Sequence, residues 1–322
     1  MAKSRRRKPV KDRKNSGARK SGNPRVPFTR SPEKFLRPSL ELLPEVAITA
    51  QRAINSANGS DDRLVEFDIH VLNRGANSMK AVRVLLEQGY WEYAVGVVRQ
   101  LFELLVNMEY LAKQDDREEA VMLFTRFGAL QTMRAQHRGM EYSREKGRPI
   151  DDQHFAQLEW HLQNDFTDFR ANSNSGTDKW VASWCRKTVA HLAEASSDPM
   201  RKHHYNILYR VWSEEAHAAP GALIASLFQD ENEDDEWLER RTSENEKHCR
   251  DAACFAVLFF VNLWLHLPHI KKPVQQIDGW IRTLNSMHEV SGFPTPPVSV
   301  VKQHRGGLRK NVTQTLEWAS VS

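Results

Sequence analysis

The sharpest chemical pattern in the sequence is a group of four polar residues that precedes Pro220. They are Arg210, Ser213, Glu214 and His217. Their spacing of i, i+3, i+4 and i+7 predicts that two turns of a helix bring all four side chains to one face. Pro220 ends this helix, so His217 lies in its last turn, where the helix dipole favours the protonated imidazole.

This face is typical of catalysis at a phosphate. A histidine that changes charge near neutral pH can act as a general acid or base, and a planar guanidinium can hold a phosphate through several hydrogen bonds. We therefore predict catalytic roles for Arg210 and His217, with Ser213 and Glu214 beside them on the same helix face. The alternative interpretation is a capping histidine beside an exposed Arg210–Glu214 ion pair. The residues expected to face the core are Leu208, Val211 and Trp212.

A second polar group interrupts the apolar helix predicted over residues 90–113. Arg99 and Glu103 are one turn apart among mostly apolar neighbours, and Asn107 and Tyr110 continue the same face. Because charges that leave water need partners, this face predicts a polar pocket lined by these four side chains. The simpler interpretation is an i, i+4 ion pair that satisfies itself.

Metal chemistry is the rival interpretation of Glu214-x-x-His217, because four-helix di-iron proteins use this i, i+3 spacing. Such proteins need two motifs. The nearest second candidates are Asp151-x-x-His154, in a polar segment, and Asn245-x-x-His248, where asparagine is the wrong ligand type. The three cysteines form no C-x-x-C pair, and no phosphate-binding glycine loop or HExxH motif occurs. The sequence therefore predicts neither a metal site nor a cofactor.

Helices must position these residues, because apolar residues recur at three- and four-residue steps from Ser39 onward. No segment alternates like a strand beside a tight turn, so we predict an all-α helical bundle and no sheet. The helices are predicted over residues 40–57, 62–88, 90–113, 117–146, 152–169, 178–195, 199–218, 235–267 and 274–289. The bundle domain spans residues 39–292, and an irregular C-terminal tail follows over 293–322.

The first 38 residues have a different composition. They hold fourteen Lys and Arg against Asp12 and Glu33, a net charge of +12, which leaves −7 for residues 39–322 of a chain that carries +5. Few apolar residues are available to offset the entropy of ordering, so this tail is predicted to be disordered. Its basic residues, first among them Arg5, Arg6, Arg7 and Lys8, predict binding to RNA or another nucleic acid. The alternative is a solvated tail that aids solubility.

The most apolar segment, Ala252–Leu267, is the candidate for a membrane-spanning helix. Its sixteen residues include Asn262 and His266 and fall short of the roughly twenty that a spanning helix needs. We expect a buried central helix and no membrane contact. The absence of a disulfide pattern and of an export signal predicts a cytoplasmic protein.

A resemblance to a known family becomes visible over about residues 64–227. The segments that carry it are Leu85–Ala94, Arg99–Glu103, Tyr110–Leu111 and Trp212–His217. In order and spacing they resemble the bacterial family named domain of unknown function 5677. The resemblance implies an all-helical bundle and no particular activity.

A more distant resemblance connects Arg210, six residues and His217 with the HEPN helical bundles, many of which are ribonucleases. It implies a metal-independent reaction in which the histidine assists attack of a 2′-hydroxyl on the adjacent phosphate and the arginine stabilises the pentavalent charge. Such sites often form at a dimer interface, so a homodimer is implied as well. The other hypothesis is a non-catalytic helical module that binds a protein partner or nucleic acid.

Overall fold

A computed structural model describes residues 36–171, 179–213 and 235–291. Several predictions from the sequence lie outside these residues. They are the tail with Arg5, Arg6, Arg7 and Lys8, the residues Glu214 and His217, and the C-terminal tail over 293–322.

The described residues are almost entirely helical, which confirms the predicted all-α class. The helices are α1 (Leu36–Ala57), α2 (Arg63–Glu87), α3 (Trp91–Leu111), α4 (Arg117–Glu145), α5 (Asp152–Asn164), α6 (Val189–Glu194), α7 (Arg201–Asn206), α8 (Asp235–Leu265) and α9 (Val274–Ser291). A 3₁₀ turn covers Thr167–Phe169, and a π-helical turn over Ile207–Val211, hereafter the π-turn, continues α7.

The core is formed by α1, α2, α3 and α8, which pack on one another. Their apolar faces bury large side chains such as Leu72, Met79, Phe102 and Phe259. Gly75 lets α2 approach α8 closely, because a Cβ at this position would lie 2.8 Å from the ring of Phe260. Removal of this apolar surface from water is the main stabilising contribution to the bundle.

Three helices begin at aspartates whose side chains accept hydrogen bonds from the first turn. Asp62 accepts from Leu64 N–H at 2.8 Å and Asp116 from Glu119 N–H at 2.9 Å. Asp151 caps α5 by accepting from the N–H of His154 at 3.0 Å. Each cap satisfies a donor that the helix itself leaves unpaired. The Asp151-x-x-His154 pattern therefore serves to start a helix.

The predicted helix over 178–195 is wrong in its first half. Strands β1 (Arg170–Ala171) and β2 (Lys179–Trp180) form a short antiparallel ladder, with Arg170 opposite Trp180, which is a small exception to the predicted all-α fold. α6 begins only at Val189 and is capped by Thr188, whose hydroxyl accepts from the N–H of His191. Between them, Trp184 packs edge-on against Phe124 at 5.6 Å. This tertiary contact overrides the local helical pattern.

Helix α8 contains the predicted buried segment. Its part Asn245–Leu265 is long and apolar enough to cross a membrane, and 78% of that apolar window is buried inside the bundle. Asn262 is buried too, and its amide donates to the carbonyl of Leu258 at 2.8 Å. The segment therefore packs as a central helix of the fold, as expected.

Candidate functional site

Tyr209, which precedes Arg210 in the chain, contacts the polar face of α3 about a hundred residues earlier. Its phenol donates a hydrogen bond to Glu103 Oε1. The guanidinium carbon of Arg99 lies 3.7 Å from the centre of the Tyr209 ring, a cation–π contact. Arg99 Nε is also 3.7 Å from Glu103 Oε1. Arg99, Glu103 and Tyr209 thus form one cluster, hereafter the tyrosine cluster.

The environment keeps Tyr209 protonated. Burial raises the pKa of its phenol, and the hydrogen bond to Glu103 raises it further against the opposing effect of Arg99. Tyr205 stacks on the Tyr209 ring, with centres 4.5 Å apart and planes at 17°. Tyr209 is therefore a fixed hydrogen-bond donor that orients the Glu103 carboxylate, and it is unsuited to act as a base.

The other half of the predicted α3 face serves packing. Asn107 donates to the carbonyl of Glu103 at 2.7 Å and accepts from Trp184 Nε1 at 2.6 Å. Tyr110 packs edge-on against Trp184 at 5.8 Å. Asn107 and Tyr110 thus hold the irregular segment before α6, whereas Arg99 and Glu103 contact Tyr209.

The π-turn carries Arg210, whose side chain is exposed. Leu208 and Trp212 face the core as expected, and Trp212 packs edge-on against Phe255 at 5.5 Å. Val211 was predicted to face the core and is instead 65% exposed. The reason is the extra residue in the turn, closed by Trp212 N–H to the carbonyl of Ile207 at 3.0 Å, which shifts the helical spacing.

The same shift affects the predicted four-residue face. The spacing argument assumes 3.6 residues per turn, and the π-turn breaks that period between Arg210 and Ser213, which is partly buried. Arg210 follows Tyr209 directly in the chain, and its side chain is exposed. π-turns inside helices occur frequently at functional sites.

Sequence reasoning missed a buried charged cluster where α3 and α8 end and α7 begins. Arg201 Nε donates to Glu109 Oε1 at 2.8 Å, and Arg201 Nη1 lies 3.0 Å from Asp198 Oδ2. Ser196 donates to Glu109 Oε2 at 2.8 Å, and His266 Nε2 lies 3.6 Å from Oε1. A signal was present, because Glu109 follows Phe102 by seven residues and Leu105 by four and so falls on the apolar stripe of α3.

Burial and neighbouring charges set the pKa values in this buried charged cluster. Burial alone would raise the pKa of Glu109, but His266 and Arg201 together lower it to about 2. The pKa of His204, which is buried beside Arg201, is lowered to about 3 by burial and by the positive charges of Arg201 and His203. At neutral pH, Glu109 is therefore ionised and His204 is neutral.

A smaller buried cluster surrounds Asp68 of α2, whose side chain is fully buried. Arg117, the first residue of α4, donates to Asp68 Oδ1 at 2.5 Å. Both the backbone N–H and the ring Nδ1 of His269 contact Asp68 Oδ2, at 3.1 and 2.9 Å. The segment between α8 and α9 is thereby attached to α2 and α4.

A basic groove of about 530 Å³, which the sequence reasoning also missed, follows one face of α4. It is lined by Arg134, His137, Arg138, Arg170 and Trp180 among others. The guanidinium carbons of Arg170 and Arg134 lie 3.9 and 5.5 Å from the Trp180 ring centre. Burial and the charge of Arg138 lower the pKa of Arg134. Arginines beside an aromatic ring are typical of surfaces that contact nucleic-acid backbones and bases.

The residues of the alternative metal motifs have other partners. Trp91 donates to Asn245 Oδ1 at 3.3 Å and stacks on His248 with ring centres 4.4 Å apart. Within the described part of the chain, no three His, Cys, Asp or Glu side chains are grouped as metal ligands.

Comparison with known proteins gives one match. Residues 69–236, just over half of the chain, match the family described as "Family of unknown function (DUF5677)". No curated protein and no solved structure matches the chain. The matched residues include the tyrosine cluster, the π-turn and the basic groove. The extent of the match establishes that this chain belongs to the DUF5677 family, as the segments around Leu85, Arg99 and Trp212 predict.

Proposed function

We propose that this protein is a metal-independent endoribonuclease whose active site combines Arg210 and His217 with the tyrosine cluster. The observation that supports it is the contact between Tyr209 and both Arg99 and Glu103. The π-turn meets the polar face of α3 at this contact, and the exposed Arg210 follows Tyr209 directly in the chain.

In the proposed reaction, neutral His217 removes the proton of a ribose 2′-hydroxyl. The 2′-oxygen forms a bond to the adjacent phosphorus, and the bond from phosphorus to the 5′-oxygen of the next nucleotide breaks as that oxygen takes a proton from water. His217 then releases the proton that it gained to the solvent. The products are a 2′,3′-cyclic phosphate and a 5′-hydroxyl end. Arg210 stabilises the charge on the phosphoryl oxygens, as a guanidinium does for a pentavalent phosphorane. Arg99 supplies a second positive charge on the same side, and Ser213 and Glu214 orient the two reacting groups.

The test is cleavage of a mixed RNA pool in the presence of a chelator. His217→Ala and Arg210→Ala should each reduce the rate by about a hundredfold or more, the range of general acid–base catalysis. His203→Ala is the matched control, since it removes an exposed histidine of α7. RNA with a single 2′-deoxy position should resist cleavage there. Equal rates in wild type and His217→Ala, or no cleavage by folded wild type over a broad RNA set, would overturn the proposal.

A non-catalytic module that binds nucleic acid is the second candidate, and the basic groove favours it. Arg134 and Arg138 present two positive charges one helical turn apart beside Trp180. Uncleavable 2′-O-methyl RNA separates the two functions. If Arg134→Gln with Arg138→Gln abolishes binding of this RNA, and the wild type cleaves no natural RNA, the binding module is the correct assignment.

A further inference from the structure

A cavity of about 540 Å³ lies between α1, the end of α8 and the start of α9. Its wall includes Thr49, Arg52, Trp264, Lys271 and Lys272. All of these residues lie outside the range 69–236 that matches the family. The cavity is therefore a feature of this chain separate from the tyrosine cluster and the basic groove.

The charged side chains that line this cavity are all positive. Arg52, Lys271 and Lys272 contribute three positive charges, and no acidic side chain is among the residues that line it. Burial lowers the pKa of Lys272, and the charge of Arg117 lowers it further, against the opposing effect of Asp68. A bound anion beside Lys272 would favour its charged form.

The first turn of α9 faces the same cavity with Val274, Gln275 and Gln276. At the start of α9, the N–H of Ile277 donates a backbone hydrogen bond to the carbonyl of Pro273, at 2.9 Å. The N–H groups of Gln275 and Gln276 precede it and are available to an acceptor. No acidic side chain occupies this first turn. A helix start of this kind favours an anion through its free N–H groups and its dipole.

Independent support comes from Trp264 in the wall of the cavity. Its side chain is 0% exposed, and its Nε1 has no hydrogen-bond partner among the described residues. A buried donor without an acceptor costs about 1–3 kcal/mol, so buried polar groups nearly always have one. A ligand oxygen in the cavity would supply the missing acceptor.

We propose that this cavity binds a small phosphorylated ligand with at least two negative charges. The phosphoryl oxygens accept from the start of α9 and from Trp264 Nε1, and Arg52, Lys271 and Lys272 balance the charge. Three cations around one helix start fit a compact polyanion better than a single carboxylate. The volume is in the range of small-molecule sites and leaves room for an organic group such as a nucleoside. The proposal is independent of ribonuclease activity.

Isothermal titration of the full chain with inorganic pyrophosphate tests the site. A separate titration with sodium chloride at equal ionic strength is the reference. The variants Arg52→Gln and Lys271→Gln remove exposed side chains and should each weaken binding about tenfold, the effect of one charged hydrogen bond. Arg83→Gln is the matched control, because Arg83 pairs with Glu87 on α2 and lies outside the cavity. The basic tail is common to all variants, so its contribution cancels in the comparison.

Two further experiments test the role of the indole and distinguish a small phosphorylated ligand from RNA. Trp264→Phe keeps an aromatic side chain, although a smaller one, and removes the donor, so it should weaken pyrophosphate binding while thermal unfolding verifies the fold. A nucleoside diphosphate should compete with pyrophosphate, and a short RNA should not. Competition by the RNA at equal phosphate concentration would overturn the assignment to a small ligand. Absence of saturable pyrophosphate binding, or an equal loss in Arg83→Gln, would overturn the site.

Discussion

Glu103 on α3 accepts a hydrogen bond from the phenol of Tyr209, 106 residues later in the chain. Arg99, one turn before Glu103, lies over the ring of the same tyrosine. One side chain of the π-turn therefore satisfies the carboxylate and packs on the guanidinium, so the α3 ion pair alone does not describe the arrangement. This contact joins the π-turn to the polar face of α3.

Tyr209→Phe should separate the hydrogen bond from the packing, because the ring that contacts Arg99 and Tyr205 is retained. We expect the free energy of unfolding to fall by about 1 kcal/mol, the net value of one hydrogen bond, since Glu103 can regain water. Urea unfolding measures this change, and RNA cleavage should fall with it. Tyr205→Phe is the control and should leave both quantities nearly unchanged. An unchanged cleavage rate in Tyr209→Phe would remove the tyrosine cluster from the proposed site.

Arg201→Met should be one of the most destabilising single substitutions in the bundle. It would leave the Glu109 carboxylate, 3% exposed, without its closest cation, at a cost of about 3–5 kcal/mol. Urea unfolding should show that the double variant Arg201→Met with Glu109→Gln loses less than the sum of the two single variants. Additive losses would mean that the two side chains are not energetically coupled.

Acid should destabilise the protein partly through His204. Its pKa is about 3 in the folded protein and 6.5 ordinarily, so the unfolded chain binds a proton first as the pH falls. The stabilising contribution is complete above pH 6.5 and is lost between pH 6.5 and about 3, by up to about 1.4 kcal/mol per pH unit. His204→Leu should show a shallower decline of unfolding free energy between pH 7 and pH 5. A parallel decline in both proteins would contradict the shifted pKa.

Glu109 contributes in a lower pH range. Its pKa falls from 4.5 to about 2 on folding, so its stabilising contribution is complete above pH 4.5 and is lost as the pH falls towards 2. Glu109→Gln should therefore lose stability at neutral pH and should lose less additional stability than the wild type below pH 4.5. Unfolding midpoints in urea at pH 5, 4 and 3 provide the measurement.

Removal of residues 1–35, which precede α1, should weaken nucleic-acid binding and reduce its salt dependence, because thirteen Lys and Arg against Asp12 and Glu33 give this segment a net charge of +11. Fluorescence anisotropy with a labelled RNA at several salt concentrations gives both quantities. The thermal unfolding of the bundle serves as the control and should not change. An unaltered salt slope would assign the affinity to the folded residues alone.

Gly75→Ala should destabilise the bundle, because the added carbon would lie 2.8 Å from Phe260 and the two helices would have to separate. Such overpacking costs about 1–3 kcal/mol. Gly128→Ala is the matched control, since a Cβ there meets no atom within 4 Å and alanine favours the helix by roughly 0.5–1 kcal/mol. The two variants should therefore shift the thermal midpoint in opposite directions.

Local patterns predict the regular part of this fold. The apolar stripe of α3 and the polar starts of α2, α4 and α5 specify helices within a few residues of their observed ends. The segment 178–188 fails this rule because Trp184 and Trp180 take their positions from contacts with distant residues, Asn107 and Arg170. No spacing within the segment encodes those partners.

The candidate site is predictable to a similar extent. The Arg99–Glu103 pair follows from its i, i+4 spacing, and its partner Tyr209 does not, because the connection spans more than a hundred residues. The charge of Glu109 on an apolar stripe signals a buried partner without identifying Arg201. The π-turn depends on the packing of Leu208 and Trp212, so the helical period used for Arg210 and Ser213 could not anticipate it.

The segment between α8 and α9 has no regular secondary structure, yet it is fastened at two histidines to carboxylates of other helices. His266 contacts Glu109 of α3, and His269 contacts Asp68 of α2 through its ring and its backbone. These contacts therefore hold the segment rigidly against α2 and α3. The amide proton of His269 should exchange with solvent as slowly as those of the core helices, because its release requires α2 and this connection to separate.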